Sequence, residues 1–315
     1  MKFTQSIRGR AGRIVLLCIV AVIIPSMGRA ALPEAEELTG ITMNKAALWS
    51  PGNLAIGGDG TLYVVDSYKN HILKFDRNGS YLGDIPFPRA SAIAVAPDGT
   101  MYIGSHQDNS VSIIKSGQVV GHLGAANNEF RSIRDIAYDA ATGRIYVADN
   151  AGNEVRIFDT AGHDAGSIKG VNLPVSVEVT GDAIYVIDSP RVKDNTYTTT
   201  ASRISIFDKQ NNLKGTIDAP TAPEEPLMYR PTDLKVVDGI IYVADAALRS
   251  IVMLDISGKY LDEIKSADNG IHTAVSLDIS PEGILYVSSS ETHSIHMFSL
   301  TANAGVGAGS GGSGL

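Results

Sequence analysis

Three features of the 315-residue sequence predict an all-β fold built from six repeats. A tyrosine-led strand recurs six times, a turn-forming pair precedes each copy, and sustained helical periodicity is missing after residue 30. The strand motif Tyr-(Val/Ile)-x-(Asp/Ser) begins at Tyr63, Tyr102, Tyr146, Tyr185, Tyr242 and Tyr286. Successive tyrosines lie 39, 44, 39, 57 and 44 residues apart, the period of propeller blades. A lone four-stranded meander cannot cover its own two faces, whereas six stacked around an axis cover each other's. The expected architecture is a six-bladed β-propeller of four-stranded antiparallel blades, closed by an N-terminal strand and occupying residues 31–300.

The first thirty residues differ from the rest. Lys2, Arg8, Arg10 and Arg13 precede an apolar run over residues 14–24, then Pro25 and the small-residue site Gly28, Arg29, Ala30. That is the layout of a secretory signal, with cleavage expected after Ala30. The run is shorter than the roughly 20 residues needed to span a bilayer. An uncleaved anchor is the alternative reading. Export to the periplasm or the medium is expected, without stable membrane insertion once the signal is removed. Cys18 is the only cysteine, so the mature chain would have neither disulfides nor thiolate metal ligands. Removal of residues 1–30 takes five positive charges and no negative ones, moving the formal net charge from −8 to −13. Nucleic acid is not an expected partner of so acidic a chain.

Each repeat carries the same internal order. An apolar inner strand comes first, as at residues 53–56, 92–95, 135–138 and 233–236. A tight turn follows, such as Asp59-Gly60, Asp98-Gly99, Asp238-Gly239 or Glu282-Gly283, pairs that tolerate the positive φ of hairpin turns. The tyrosine strand is second. A third strand alternates in polarity, as in residues 71–76 and 154–159. A second turn, at Asn78-Gly79 or Ser257-Gly258 for example, leads to the outer strand. The sixth copy stops after three strands, so residues 38–48 are expected to supply its outer strand and close the ring. Residues 301–315, mostly Gly, Ala and Ser, read as a flexible tail. The long fourth interval holds a polar insertion, 190–202, and a Pro-rich connector, 218–231.

These repeats resemble the NHL-repeat family. Its blades run from an apolar strand through an Asp-Gly turn to Tyr-Val-x-Asp, then Asn-x-(Arg/His)-Ile-x-x-Phe-Asp and an outer glycine. Residues 63–66, 70–76 and Gly79 form the nearest copy, and residues 146–149 with 153–159 follow closely. Residues 121–130 look like the family's inter-blade connector. Ser105 and Ser289 stand where Asp is usual. The resemblance implies the fold strongly and the chemistry weakly, because propellers of this kind serve as binding ectodomains, interaction platforms, RNA-binding domains and a few enzymes.

Recurrence of Asp66, Asp149, Asp188 and Asp245 at one position points to a structural role, capping backbone N–H groups of the following loop. The tyrosines are expected to pack between blades. Function in a propeller usually sits where loops entering the inner strands converge. Arg89 and Arg230 occupy that entry position in the opposed blades two and five. Arg131 and Arg134 enter through blade three, and Asp135 and Asp233 lie one residue before the first apolar position of their strands. These six are the candidate ligand-binding residues, suited to a carboxylate, phosphate or acidic peptide because guanidinium binds such groups bidentately. Local ion pairing with neighbouring acids is the competing explanation.

The histidines give little support to an enzyme. A zinc site like that of the peptide-amidating lyase would need histidines from several blades aimed at the axis, and only His272 lies near an inner-strand entry. A gluconolactonase-like calcium site would need Glu, Asn and Asp at the inner mouth. Asn53 and Asp135 are candidates, without a matching Glu. No catalytic or metal-binding residue is assigned, and no cofactor is expected; calcium or zinc would belong to the enzyme alternative. The sequence thus favours an exported, non-enzymatic binding or scaffold propeller that recognises a protein, peptide or cell-envelope ligand through its loop face or channel mouth. A metal-assisted lyase or lactonase in the central channel is the alternative.

Overall fold

Residues alternating between two blade faces must be apolar on both, because each blade is covered on either side by a neighbour. The strands meet that demand, with Leu62, Val64 and Val65 of one strand all fully buried. The computed structural model describes residues 32–42, 48–124, 130–188, 202–219, 228–266 and 271–301, all within one compact unit, Leu32–Asn303. The expected signal segment, the Gly-rich tail, and most of the insertion and the connectors fall outside the described residues.

The chain opens with β1 (Glu34–Thr42). Blade one holds β2 (Pro51–Ile56), β3 (Leu62–Asp66), β4 (His71–Phe75) and β5 (Tyr81–Pro86). Blade two holds β6 (Ala90–Val95), β7 (Met101–Ser105), β8 (Ser110–Lys115) and β9 (Gln118–His122). Blade three runs β10 (Ile133–Asp139), β11 (Arg144–Asp149), β12 (Glu154–Phe158), β13 (Asp164–Ile168). Blade four runs β14 (Ser176–Val179), β15 (Ala183–Asp188), β16 (Arg203–Asp208), β17 (Leu213–Asp218). Blade five comprises β18 (Pro231–Val237), β19 (Ile240–Asp245), β20 (Ser250–Asp255) and β21 (Tyr260–Ile264). Blade six comprises β22 (Ala274–Ile279), β23 (Ile284–Ser289) and β24 (Ser294–Thr301), with β1 as its outer strand.

All pairings are antiparallel, and each sheet has four strands. The closing strand pairs Glu34 with Thr301 and Thr42 with Ser294. It therefore starts four residues earlier than the sequence suggests and ends at Thr42, with residues 43–47 outside the described set. A bulge between Leu38 and Ile41 keeps Ile41 turned into the core. Gly40 sits in that bulge, where a Cβ would meet the Ile295 carbonyl oxygen at 2.6 Å.

Six apolar clusters fill the six gaps between neighbouring blades. One joins Phe75 and Leu62 of blade one to Tyr286 and Met297 of blade six. Another joins Tyr102 of blade two to Ile145 and Phe158 of blade three. The recurrent tyrosines lie in these gaps as expected. Tyr102 stacks on Tyr138 with centroids 6.0 Å apart, and the Tyr286 hydroxyl donates to the Arg77 carbonyl across the ring closure at 2.9 Å.

The outer turns also lock blade to blade. Gly162, at φ +90°, faces the His122 carbonyl of blade two so closely that a Cβ would lie 2.4 Å from its oxygen. In return Gly124 N–H donates to the Gly162 carbonyl at 2.7 Å. Gly258 packs similarly against Ile217 of blade four. The outer glycines Gly79, Gly162 and Gly258 are thus inter-blade contacts as well as turn residues. Gly162→Ala is expected to destabilise the protein by about 1–3 kcal/mol, read as a lowered urea midpoint. Gly117→Ala, at positive φ but in open space, should cost only the conformational part.

Candidate functional site

Two kinds of loop share one end of the propeller: those entering the inner strands, and those joining second to third strands. The second strand ends in an Asp in blades one, three, four and five, and in blades one, three and five that Asp ties the two loops together. Asp66 accepts from Trp49 N–H at 2.7 Å and from Lys69 N–H at 3.2 Å. Asp149 accepts from Arg131, Ser132 and Gly152. Asp245 accepts from Tyr229, Arg230, Ala247 and Leu248. Asp188 accepts from Asn172 N–H and pairs with Arg203. All four are buried. The capping role read from their recurrence holds for Asp66, Asp149 and Asp245, and all four also reach back to the entry loop of the same blade; the loop after Asp188 lies outside the described residues. Ser105 and Ser289 replace the carboxylate in blades two and six, with Ser105 accepting from Gln107 N–H and Ser289 bonding the His272 carbonyl.

These caps fix what the entry face displays. Arg89, Arg131, Arg134 and Arg230 are all exposed there. Arg89 adopts φ +51°, with its N–H held by the Asn70 side chain at 2.9 Å. Arg134 and Arg89 both act on His106, whose imidazole is held below its usual pKa by burial first and by those two charges next. Arg89 and Arg134 are therefore neighbours in charge across blades two and three. Sequence reasoning missed the aromatic part of the face. Trp49 and Tyr68 stack at 5.5 Å with their planes 19° apart, although they are 46% and 72% exposed. Tyr229 and Leu173 are exposed on other entry loops.

Asp135 and Asp233 are placed differently from the arginines. Both are buried on the axis, within a polar girdle to which five of the six inner strands contribute a side chain. Asn53, Asp135, Ser176, Asp233 and Ser276 occupy equivalent positions, with Ala92 as the sixth. Ser176 Oγ lies 3.0 Å from Asp135 and 2.6 Å from Asp233. Ser276 Oγ donates to Asp233 at 2.6 Å, and Asn53 Nδ2 donates to Asp135 at 3.1 Å. The girdle also takes the first axis-facing N–H of every inner strand: Leu54 to Ser276, Ile93 to Asn53, Ile136 and Val177 to Asp135, Leu234 and Leu277 to Asp233. In blades two, three and five a register shift falls immediately before the girdle position, the kind of bulge that re-aims a side chain.

Beyond the girdle, away from the entry loops, the channel holds a cavity of about 370 Å³. Its second ring, two residues along each inner strand, is Ala55, Ala94 and Ala137 in blades one to three and Glu178, Lys235 and Asp278 in blades four to six. Lys235 Nζ lies 3.0 Å from Glu178 Oε2 and 3.4 Å from Asp278 Oδ1. Burial raises the Glu178 pKa, against the pull of Lys235. For Lys235 burial opposes the charge, but Asp278 and Glu178 outweigh it and hold the ammonium well above the usual lysine value. Among the described residues no group of three or more His, Cys, Asp or Glu is arranged to hold a metal ion. Asn53 and Asp135 bond each other, and His272 faces Glu291 and Arg249.

With this geometry in place, solved structures supply a comparison. A gluconolactonase from Xanthomonas campestris matches with a TM-score of 0.63 at 14% identity, over 87% of this chain and 98% of that one. A streptogramin B lyase matches at 0.60 and 11%, over 85% and 98%. The Kuenenia stuttgartiensis hydrazine synthase matches at 0.60 and 14%, over 82% and 98%. These likenesses establish the six-bladed fold alone. No protein-family model matches the sequence, and no curated protein does, so the resemblance to NHL repeats rests on the residues that carry it.

Desolvation first, and the Asp135 charge second, raise the Asp233 pKa from 3.8 to about 7. Between those values the folded protein keeps a proton that the unfolded chain releases. The contribution of Asp233 to stability is therefore full below about pH 4, declines as pH rises towards about 7, and is level beyond. Urea midpoints measured across that range are expected to decline less steeply in Asp135→Asn, which lacks the repelling charge, than in the wild type.

Proposed function

We propose that the chain is an exported binding module that takes an acidic segment of a protein or peptide on its entry face. The observation that carries this reading is the solvent-exposed Trp49–Tyr68 stack set on a face that also displays Arg89, Arg131, Arg134 and Arg230. Tryptophan, tyrosine and arginine are the residues that dominate binding energy at protein interfaces. Large aromatic rings left in water at 46% and 72% exposure gain most by being covered. A carboxylate-bearing partner complements the guanidinium groups bidentately, while the acidity of the chain as a whole, at net −8, disfavours the same partner elsewhere.

Backbone strain points the same way. Arg89, Leu173 and Thr273 all take positive φ in their entry loops, a conformation that non-glycine residues adopt at a cost and that tends to gather at binding sites. The enzyme alternative, a metal-assisted lyase or lactonase in the channel, has the fold it shares with a gluconolactonase and a streptogramin B lyase in its favour. It would be supported by lactone or lyase turnover that depends on calcium or zinc retained through dialysis.

Selection of a random peptide library on the immobilised chain tests the binding reading. Enrichment of acidic peptides bearing aromatic or aliphatic residues is expected, with affinity falling as salt is added. Trp49→Ala should weaken the selected peptides at least tenfold, and Arg89→Gly should weaken them while leaving the melting temperature unchanged or higher, since glycine relieves the positive φ. Enrichment without acidic bias, or indifference to both substitutions, would sink the proposal.

A further inference from the structure

The turn-side cavity is a concave site at the other end of the channel from the entry loops. Its lining runs from Asp135 and Asp233 of the girdle to Gly58, Pro97 and Pro281 of the hairpin turns. At about 370 Å³ it lies within the size range of small-molecule sites. Half of its second ring is apolar and half is charged. Blades one to three present Ala55, Ala94 and Ala137 at the position where blades four to six present Glu178, Lys235 and Asp278. Alanine meets the packing requirement of that position in three blades, so closing the ring does not demand charge there. Partly buried ion pairs contribute little to stability compared with apolar packing, and the three charged residues form the one departure from that apolar pattern.

The sign of the site follows from counting. Lys235 is the single cation of the second ring, faced by Glu178 and Asp278 and by the girdle carboxylates Asp135 and Asp233. Even with Asp233 protonated, three carboxylates face one ammonium. Asp278 is committed: Oδ2 accepts from Ile56 N–H at 2.9 Å, and Oδ1 accepts from Ile279 N–H at 2.9 Å besides meeting Lys235. Glu178 bonds Lys235 through Oε2. That leaves Oε1 as its uncommitted acceptor, on a residue that lines the cavity.

We infer that the cavity binds a small organic cation, a primary amine with a compact apolar body. The ammonium would donate to Glu178 Oε1 in the excess negative field of the ring, and the body would lie against Ala55, Ala94 and Ala137. A neutral or anionic molecule of the same shape finds no charge complement, because Lys235 is already held by two carboxylates. The inference is independent of the entry-face reading, which concerns the opposite end of the channel.

Calorimetric titration of the full chain with phenethylammonium tests it, with 2-phenylethanol and 3-phenylpropionate as neutral and anionic counterparts and calcium chloride as the metal. The expected result is one phenethylammonium bound per chain, at least tenfold weaker in Glu178→Gln and in Ala137→Leu, and unchanged in Trp49→Ala. Glu178→Gln is isosteric and keeps the test usable should the larger Ala137 substitution unfold the ring. No binding of the amine, equal binding of the alcohol, or amine binding that survives Glu178→Gln would overturn the inference. Glu178-dependent binding of calcium in place of the amine would also overturn it and assign the cavity to a metal ion.

Discussion

Everything in this propeller depends on how the inner edge of each blade is satisfied. The innermost strand has a partner on one side only, and on the axis side its N–H groups face a narrow channel rather than another strand. Left unpaired and buried, each such group would cost about 1–3 kcal/mol. Six of them, from Leu54 to Leu277, are taken by Asn53, Asp135, Asp233 and Ser276 of the girdle. The two aspartates do most of this, each accepting from its own strand and from the next blade. The electrostatic cost is concentrated where the two carboxylates share Ser176, and it appears as the raised pKa of Asp233.

The same device, a buried carboxylate accepting backbone N–H groups, operates again at the ends of the second strands. There it settles the entry loops. Asp66 fixes Trp49 at one end and the turn carrying Tyr68 at the other, so the aromatic pair is presented by a rigid support although both rings are in water. Asp149 and Asp245 do the same for Arg131 and Arg230. Backbone hydrogen bonding thus sets the geometry on which recognition at this face would rely, which is the order of construction expected of a preorganised site.

How much of this was legible follows from what repeats. The tyrosine strand, the turn glycines and the terminal aspartates recur in kind, so their spacing gave the blade count, the strand order and the capping role. The closing strand was legible from a deficit, since blade six lacks an outer strand of its own. The girdle was not legible as a unit, because its positions read Asn, Ala, Asp, Ser, Asp, Ser. No single residue type marks it, and its partners come from blades far apart in sequence. Asp135 and Asp233 drew attention by position, but only the bulged register shows their oxygens committed to the backbone. Glu178, Lys235 and Asp278 left a fainter signal: charge at a position two residues beyond the girdle, inside strands otherwise apolar. The Trp49–Tyr68 pair was hidden because its rings come from two loops that only the fold brings together.

The pairing of β1 with β24 has a consequence for how the chain acquires its structure. Among the described strands, the first and the last in chain order are hydrogen-bonded neighbours, with Glu34 opposite Thr301. Any nascent form therefore carries at least one unfinished rim until β24 has been made, and the association that closes the ring joins strands from opposite ends of the described residues, the kind of distant pairing that slows folding. The ring stays an open arc for as long as either of these two strands is withheld.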